Sequence, residues 1–240
     1  MSDKIITRLA DGVFEITLNN PSKMNCMGFQ MLNELNESIS KAKQDDNIKV
    51  VVITGAGNRA FSSGADLNEF QTLPDKKTSE WIELGNKVFN KIENLKKPTI
   101  AFINGYAIGG GLELALSCDF RIGTESAVIC SPELQHGWLP GWGGMTRLRR
   151  LVGEAKAKEI VMLCEKIPAK RALELGLLTR IDAHIENSFG ELVDHLKNIN
   201  TKAFELAKLV LQDNERTTYG ADIQFDVLAM QLTNNKYKNC

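Results

Sequence analysis

Two carboxylates and a run of three glycines are the residues of this chain best suited to do chemistry. Gly109, Gly110 and Gly111 lead into the apolar segment Leu112 to Leu116, which only Glu113 interrupts; Glu133 follows twenty positions later, behind Ser131 and Pro132. Glycine lets the backbone turn sharply and approach a ligand closely. The first N–H groups of a helix have no intrahelical acceptor, and the helix dipole favours negative charge beside them. Leu112, Leu114, Ala115 and Leu116 make the helix apolar nearly all round, which predicts that it is buried. An ionised Glu113 in that setting costs several kcal/mol unless it is solvated, paired or neutralised. The stretch therefore places free N–H donors one turn from a carboxyl whose pKa is perturbed.

Each feature also has a plainer explanation. Three glycines fit tight helix–strand packing, and glycine clusters are weak signals alone. They are not a dinucleotide fingerprint or a phosphate loop, since no G-x-G-x-x-G follows a strand and no lysine follows the glycines. "SPEL" reads as an ordinary helix start, with Ser131 as cap, Pro132 at the first position and Glu133 in the first turn. His136, three residues on, has nothing nearby to orient it and is expected to be a surface or structural histidine.

The elements that must position these groups alternate between strand and helix. Ile5 to Leu9 and Val13 to Leu18 flank an Asp11-Gly12 turn, predicting a hairpin. "NNPSKMNCMGF" reads as a loop. Met31, Leu32, Leu35, Ile39 and Ala42 recur at helical spacing, and Asp45-Asp46-Asn47 ends that helix. Val50 to Gly55 is a continuous apolar, β-branched run, expected of a strand buried on both faces. "AGNRAFSSGADLNEF" reads as a long loop, followed by a helix opened by Ser79 and carrying Trp81, Leu84, Val88, Ile92 and Leu95. "PTIAFING", "DFRIGT" and Leu177 to Asp182 read as strands. Glu154 to Cys164 and Ala169 to Leu175 are helical, the second capped by Gly176. Lys96 and Lys97 read as a solvated helix end. This alternation predicts an α/β fold. Beyond Asp182 only helices are expected, over Leu192 to Ile199, Ala203 to Leu211 and Ile223 to Leu232, which suggests an appendage used for assembly.

Composition excludes several classes. The chain has 240 residues, 43% of them apolar, enough for one sizeable core. Its 29 basic and 30 acidic residues exert no overall pull on nucleic acid or a membrane surface. No apolar run approaches the roughly 18–20 residues that span a bilayer. "MSDKIITRLADG" is not a signal peptide, so a cytoplasmic location is expected. Cys26, Cys118, Cys130, Cys164 and Cys240 lack C-x-x-C spacing and are expected to be reduced thiols, with no metal site.

"FSSGADLNEF", "NGYAIGGGLELALSCDFRIG" and "SPELQHGWLPGWGGMTRLRRLVG" together resemble the signature of the crotonase superfamily, the enoyl-CoA hydratase/isomerase family. The resemblance runs from Ile5 to Asp182 in order and spacing. It implies a spiral of ββα turns over residues 1–185 and a helical region over 186–240 that builds homotrimers, often paired into hexamers. It implies an oxyanion hole made by the backbone N–H groups of Ala65 and Gly110, which hold a thioester oxygen as it becomes an enolate. Such donors can each be worth about 3–4 kcal/mol in a dry site. The two hydratase glutamates fall on Glu113, which helps activate water, and Glu133, which supplies the Cα proton. That pair points to addition of water across a 2-enoyl-CoA double bond, with a double-bond isomerase as the alternative within the family. A non-catalytic RNA-binding relative is a further alternative, opposed by the neutral charge and the lack of a lysine-rich helix.

Coenzyme A would lie against Ser63, Ala65, Asp66, Leu67 and Gly110, with its phosphates near Lys23 and Met24; a solvated lysine is the plainer reading of Lys23. No cofactor is expected beyond the coenzyme A of the substrate. The loop that commonly reads Pro-Gly-Ala-Gly-Gly here reads Pro140-Gly141-Trp142-Gly143-Gly144. Trp142 is therefore expected to shorten or reshape an acyl pocket that Pro140 and Gly141 also line, although an indole there also suits plain core filling. The family's usual C-terminal tail is replaced by "TNNKYKNC".

Overall fold

The computed structural model describes residues 3–182 and 188–212. A six-stranded sheet forms the base. Its strands are β1 (Ile5–Ala10), β2 (Val13–Leu18), β3 (Val50–Gly55), β5 (Thr99–Ile103), β7 (Phe120–Gly123) and β10 (Arg180–Ile181), in that spatial order. A second sheet orders β4 (Ala60–Ser62), β6 (Tyr106–Ile108), β8 (Val128–Cys130) and β9 (Ile167–Pro168). Successive turns of chain lay one strand in each sheet: β3 with β4, β5 with β6, β7 with β8. Neighbouring strands from successive turns run parallel, β3 to β5 to β7 and β4 to β6 to β8. This is the spiral of ββα turns that the resemblance implies.

Burial on both faces explains the composition of β3. Val51 and Ile53 face a core shared with helix α1 (Phe29–Gln44) and helix α3 (Asp75–Glu93), while Val50 and Val52 face Leu192, Val193 and Leu196 of helix α7 (Ser188–Lys197). Helix α1 buries the periodic set Met31, Leu32, Leu35, Ile39 and Ala42. Fully burying each of its leucines is worth about 1.5–3 kcal/mol. Helix α6 (Ala169–Glu174) closes at Leu175 and Gly176, as expected, and helix α8 (Thr201–Gln212) follows α7. The helix expected over Ile223 to Leu232, the closing "TNNKYKNC" and Cys240 lie outside the described residues. The other four cysteines are free and buried.

Several expectations are corrected. The long loop before α3 contains β4 and a short helix, α2 (Leu67–Thr72), capped by Asp66, whose side chain accepts from the N–H groups of Asn68 and Glu69. Helix α3 begins at Asp75 after Pro74, a full turn before Ser79. Helix α5 (Gly144–Leu163) begins ten residues before Glu154 and is broken at Gly153, whose φ of 77° is not helical. Of the two lysines expected in solvent, Lys96 is exposed, as expected, and pairs with Glu205 at 2.5 Å, whereas Lys97 Nζ donates to the carbonyls of Ala42 and Asp45 at the end of α1. Strands β6 and β8, three residues each, escaped the sequence reading, as did the two-residue β9.

Candidate active site

The ends of the second sheet present the chemistry. Strand β6 runs through Gly109 into helix α4 (Gly110–Leu116), and β8 runs through Ser131 and Pro132 into a 3-10 turn, Glu133–His136. Ile108 pairs with Cys130 in the parallel register, and the Gly109 N–H donates to the Cys130 carbonyl at 2.9 Å. Sheet pairing therefore sets the glycine run and Glu133 side by side. A Cβ added to Gly109 would stand 3.0 Å from Glu133 Oε1.

Close backbone approach explains the glycines. A Cβ on Gly64 would fall 2.7 Å from Gly110 N and 2.7 Å from Ile108 O, so the peptide leading into Ala65 lies against the one bearing the Gly110 N–H. Among the described residues, no turn, loop or cap hydrogen bond uses the N–H of Ala65 or of Gly110. Both residues border one chamber of about 390 Å³ that Glu113 and Glu133 also border. The structure thus brings together the four groups singled out from sequence: two N–H donors and two carboxyls.

Glu113 is 4% exposed. Its Oε1 accepts two hydrogen bonds at 2.8 Å, from the N–H groups of Trp142 and Gly144. Burial pushes its pKa up from 4.5 to about 7, and the nearby Glu133 adds to the rise; the two N–H donors and Arg147 pull the other way. One oxygen is thereby anchored, and the carboxyl is poised near neutrality. Glu133 Oε2 accepts from Ser131 Oγ at 2.7 Å. Ser131 is therefore a carboxylate partner rather than the helix cap that its position suggests; no side-chain hydrogen bond caps the turn. His136 is exposed and packs by its ring against Trp138, as expected of a structural histidine.

The chamber wall is aromatic. Phe70 of α2 meets Trp81 of α3 and Trp138, each at a 5.2 Å centroid distance, and Trp81 meets Trp142 edge-on at 4.9 Å. The Trp142 indole is wedged between two glycines: a Cβ on Gly85 would lie 2.2 Å from its Nε1, and one on Gly110 2.4 Å from its Cζ3. Gly141 lines the chamber, and its carbonyl accepts from Asn86 Nδ2. Pro140 is corrected: it is buried but does not line the chamber, where Leu139 stands instead. The contributions of Phe70, Trp81 and Ile82 went unforeseen, because only the packing of α2 and α3 aims them here.

The residues expected around coenzyme A form one patch. Ser63 N–H donates to the Met24 carbonyl at 2.8 Å, tying the Lys23–Met24 turn to the loop that carries Ala65. Lys23 Nζ pairs with Asp66 Oδ2 at 3.2 Å and remains half exposed. Leu67 lines the chamber mouth and is 40% exposed. A second cavity of about 550 Å³ contains Lys208 and Asp119, but these bind one another at 2.9 Å and hold α8 to the core. Among the described residues there is no cluster of three or more metal-ligating side chains, and no helix is long and apolar enough to cross a membrane.

Fold and site together define a class: a two-sheet spiral in which backbone donors and carboxyls share a narrow chamber. The family model described as enoyl-CoA hydratase/isomerase matches residues 8–237. The chain is 36% identical over 210 residues to a short-chain-enoyl-CoA hydratase of Clostridium acetobutylicum, covering 88% of this chain and 78% of the relative. It is 37% identical over 179 residues to a crotonyl-CoA hydratase of Syntrophomonas wolfei, covering 75% and 69%. The crystal structure of an enoyl-CoA hydratase from Bacillus anthracis superposes with a TM-score of 0.90 at 32% identity, covering 95% of this chain and 90% of the other. This protein belongs to the enoyl-CoA hydratase/isomerase family of the crotonase superfamily.

Proposed function

We propose that the protein is a 2-enoyl-CoA hydratase acting on short acyl chains. One observation carries the reading: Glu113 and Glu133, from separate elements, border the same chamber as the Ala65 and Gly110 amides. The two N–H groups hold the thioester oxygen as negative charge develops there, the point at which fixed donors contribute most. Glu113 takes a proton from the water that attacks Cβ, and Glu133 delivers one to Cα, so one carboxyl accepts as the other donates. A thioester held in this way makes the Cα proton acidic without a further group, so the reaction needs no cofactor beyond the coenzyme A of the substrate. Lys23 and the Met24–Ser63 seam receive the coenzyme A, Lys23 exchanging Asp66 for phosphate.

The Trp142 wedge and the aromatic wall support a short acyl chain, in keeping with relatives named for short-chain and crotonyl substrates. A double-bond isomerase is less favoured, because both carboxyls are present; an RNA-binding role is opposed by the balanced charge. We place residues 1–185 as the catalytic core and 186–240 as an assembly region building a homotrimer or a dimer of trimers, with exposed Leu209 and Leu211 on α8 available for contacts. Light scattering in solution tests that assembly, and a monomer would refute it. A cytoplasmic location accords with the free, buried cysteines.

The test of activity follows loss of the conjugated-thioester absorbance with crotonyl-CoA. Wild type should turn over, while Glu113→Gln and Glu133→Gln should each lose about 10²–10⁴-fold in kcat. An isomerase would keep most of its rate in Glu113→Gln with a 3-enoyl-CoA, and that outcome would overturn the hydratase reading.

A further inference from the structure

Outside the chamber, a buried guanidinium grips the back of the turn that holds Glu113. Arg147, in the first turn of α5, is 6% exposed. Its Nη1 donates to the Trp142 carbonyl at 2.7 Å. Its Nε and Nη2 both donate to Glu93 Oε2, at 2.9 and 2.7 Å, and Nη2 also donates to Asn90 Oδ1 at 2.7 Å. Glu93 and Asn90 lie in the last turn of α3, the helix that supplies Trp81 and Ile82 to the chamber wall. Gly143 leaves room for the grip: its φ is 90°, and an added Cβ would stand 2.4 Å from Arg147 Nη1. The same three residues, Trp142 to Gly144, thus give two N–H groups inward to Glu113 and one carbonyl outward to Arg147.

We propose that Arg147, anchored by Glu93 and Asn90, is a positioning residue that holds the Trp142–Gly144 turn so that both of its N–H donors converge on one oxygen of Glu113. Four acceptor contacts over three groups need the planar fork of arginine; the ammonium of lysine is a point charge and cannot reproduce them. A turn released by even a fraction of an ångström turns its donors off the carboxyl, and misplacement of about 1 Å can cost about 10²-fold in rate. The inference rests on Glu113 being the proton acceptor of the proposed hydration.

The charges that bear on Glu113 are few. Glu133 from the 3-10 turn opposes its ionisation, and Arg147 from α5 favours it. The chamber residues from α2 and α3, including Phe70, Trp81 and Ile82, are uncharged. Strands β4 and β5 carry no charged residue, and Tyr106 of β6 is exposed. Glu93 acts through Arg147, whose charge it partly neutralises, and it also pairs with the exposed Arg150 of α5 at 3.4 Å.

The experiment compares wild type with Arg147→Lys, Arg147→Met and Glu93→Gln. With crotonyl-CoA, Arg147→Lys should lose about 10²-fold in kcat with little change in KM. The acidic limb of kcat/KM should move to higher pH in Arg147→Met. It should move to lower pH in Glu93→Gln, where the guanidinium charge is no longer offset. The same opposed shifts should appear in the titration of Glu113 followed by carboxyl carbon-13 NMR, its resonance assigned by loss in Glu113→Gln. A merely structural arginine would move melting temperature but leave kcat of the charge-conserving Arg147→Lys at the wild-type level, and that result, or a limb and resonance that stay put, would overturn the proposal. If Arg147→Met fails to fold, Arg147→Lys, which keeps the charge and loses the fork, decides. A wild-type protein inactive on every enoyl-CoA would sink the hydratase reading, whereas the NMR titration needs no turnover and still judges the positioning role.

Discussion

Replacing Glu113 by glutamine should make the protein more stable at neutral pH while removing its activity. The amide oxygen of the new side chain would keep both anchoring bonds, since Trp142 and Gly144 donate to a single oxygen of the wild-type carboxyl. What changes is ionisation. The folded carboxyl has its pKa pushed up by burial to about 7 from an ordinary 4.5. Below 4.5 both states are protonated and the group contributes nothing. Between 4.5 and 7 the unfolded chain gives up its proton while the folded one keeps it, so stability falls as pH rises; above 7 the loss is constant. At about 1.4 kcal/mol per pH unit, that window amounts to about 3 kcal/mol. Glutamine has no such loss, so the stability of Glu113→Gln relative to wild type should climb by about 3 kcal/mol between about pH 4.5 and about pH 8. In a chain of this size that is a differential rise in melting temperature of roughly 6–12 °C. Thermal melts of both proteins at half-unit pH intervals give the difference directly. Parallel curves over this range would mean that Glu113 titrates when folded as it does unfolded. The reasoning that makes it a neutral-pH base would then fail.

Trp142→Ala should destabilise the fold by about 3–5 kcal/mol, as deletion of a buried aromatic side chain does. It should also raise kcat/KM for longer acyl chains relative to crotonyl by about fourfold per added methylene, the factor equivalent to about 0.8 kcal/mol; an unchanged profile across acyl-CoA lengths would reject the pocket-shortening role. Gly110→Ala puts a methyl 2.4 Å from the indole and must displace the amide. Its kcat should fall about 10²–10³-fold, by analogy with loss of one oxyanion donor. In a double-mutant cycle, its stability loss should shrink when Trp142 is also replaced by alanine. Lys23→Ala should raise KM for the CoA thioester with kcat unchanged, and the effect should fade at high salt.

Much of the site was legible because its residues break local rules. A lone acid in an apolar helix and three glycines at the helix start needed a reason, and Glu113 and Gly110 supply it in the chamber. Strand β3 was legible because burial on both faces selects an unbroken β-branched run. Short elements were not: β6 and β8, three residues each, carry too little periodicity to separate from loop, yet they aim the Gly109–Gly111 run and Glu133. Gly143 and Gly144 read as loop although a helix begins there, and Gly153 made its second half look like the whole. Least legible were long-range partners. Arg147 and Glu93 lie 54 positions apart, and no spacing rule joins them; nor does "SPEL" reveal that Ser131 serves the carboxyl rather than the helix.

The pairing of Ile108 with Cys130 has a wider consequence. Because Gly110, Glu113 and Glu133 are fastened to adjoining strand ends, their mutual placement is inherited from sheet register, while the chamber wall comes from α2, α3 and the Trp138–Trp142 loop. Trp142 joins the two parts, its N–H holding Glu113 while its indole stands in the wall. A designer could reshape Phe70, Ile82 or Leu139 for bulkier tails, but a change at Trp142 would reach Glu113 as well.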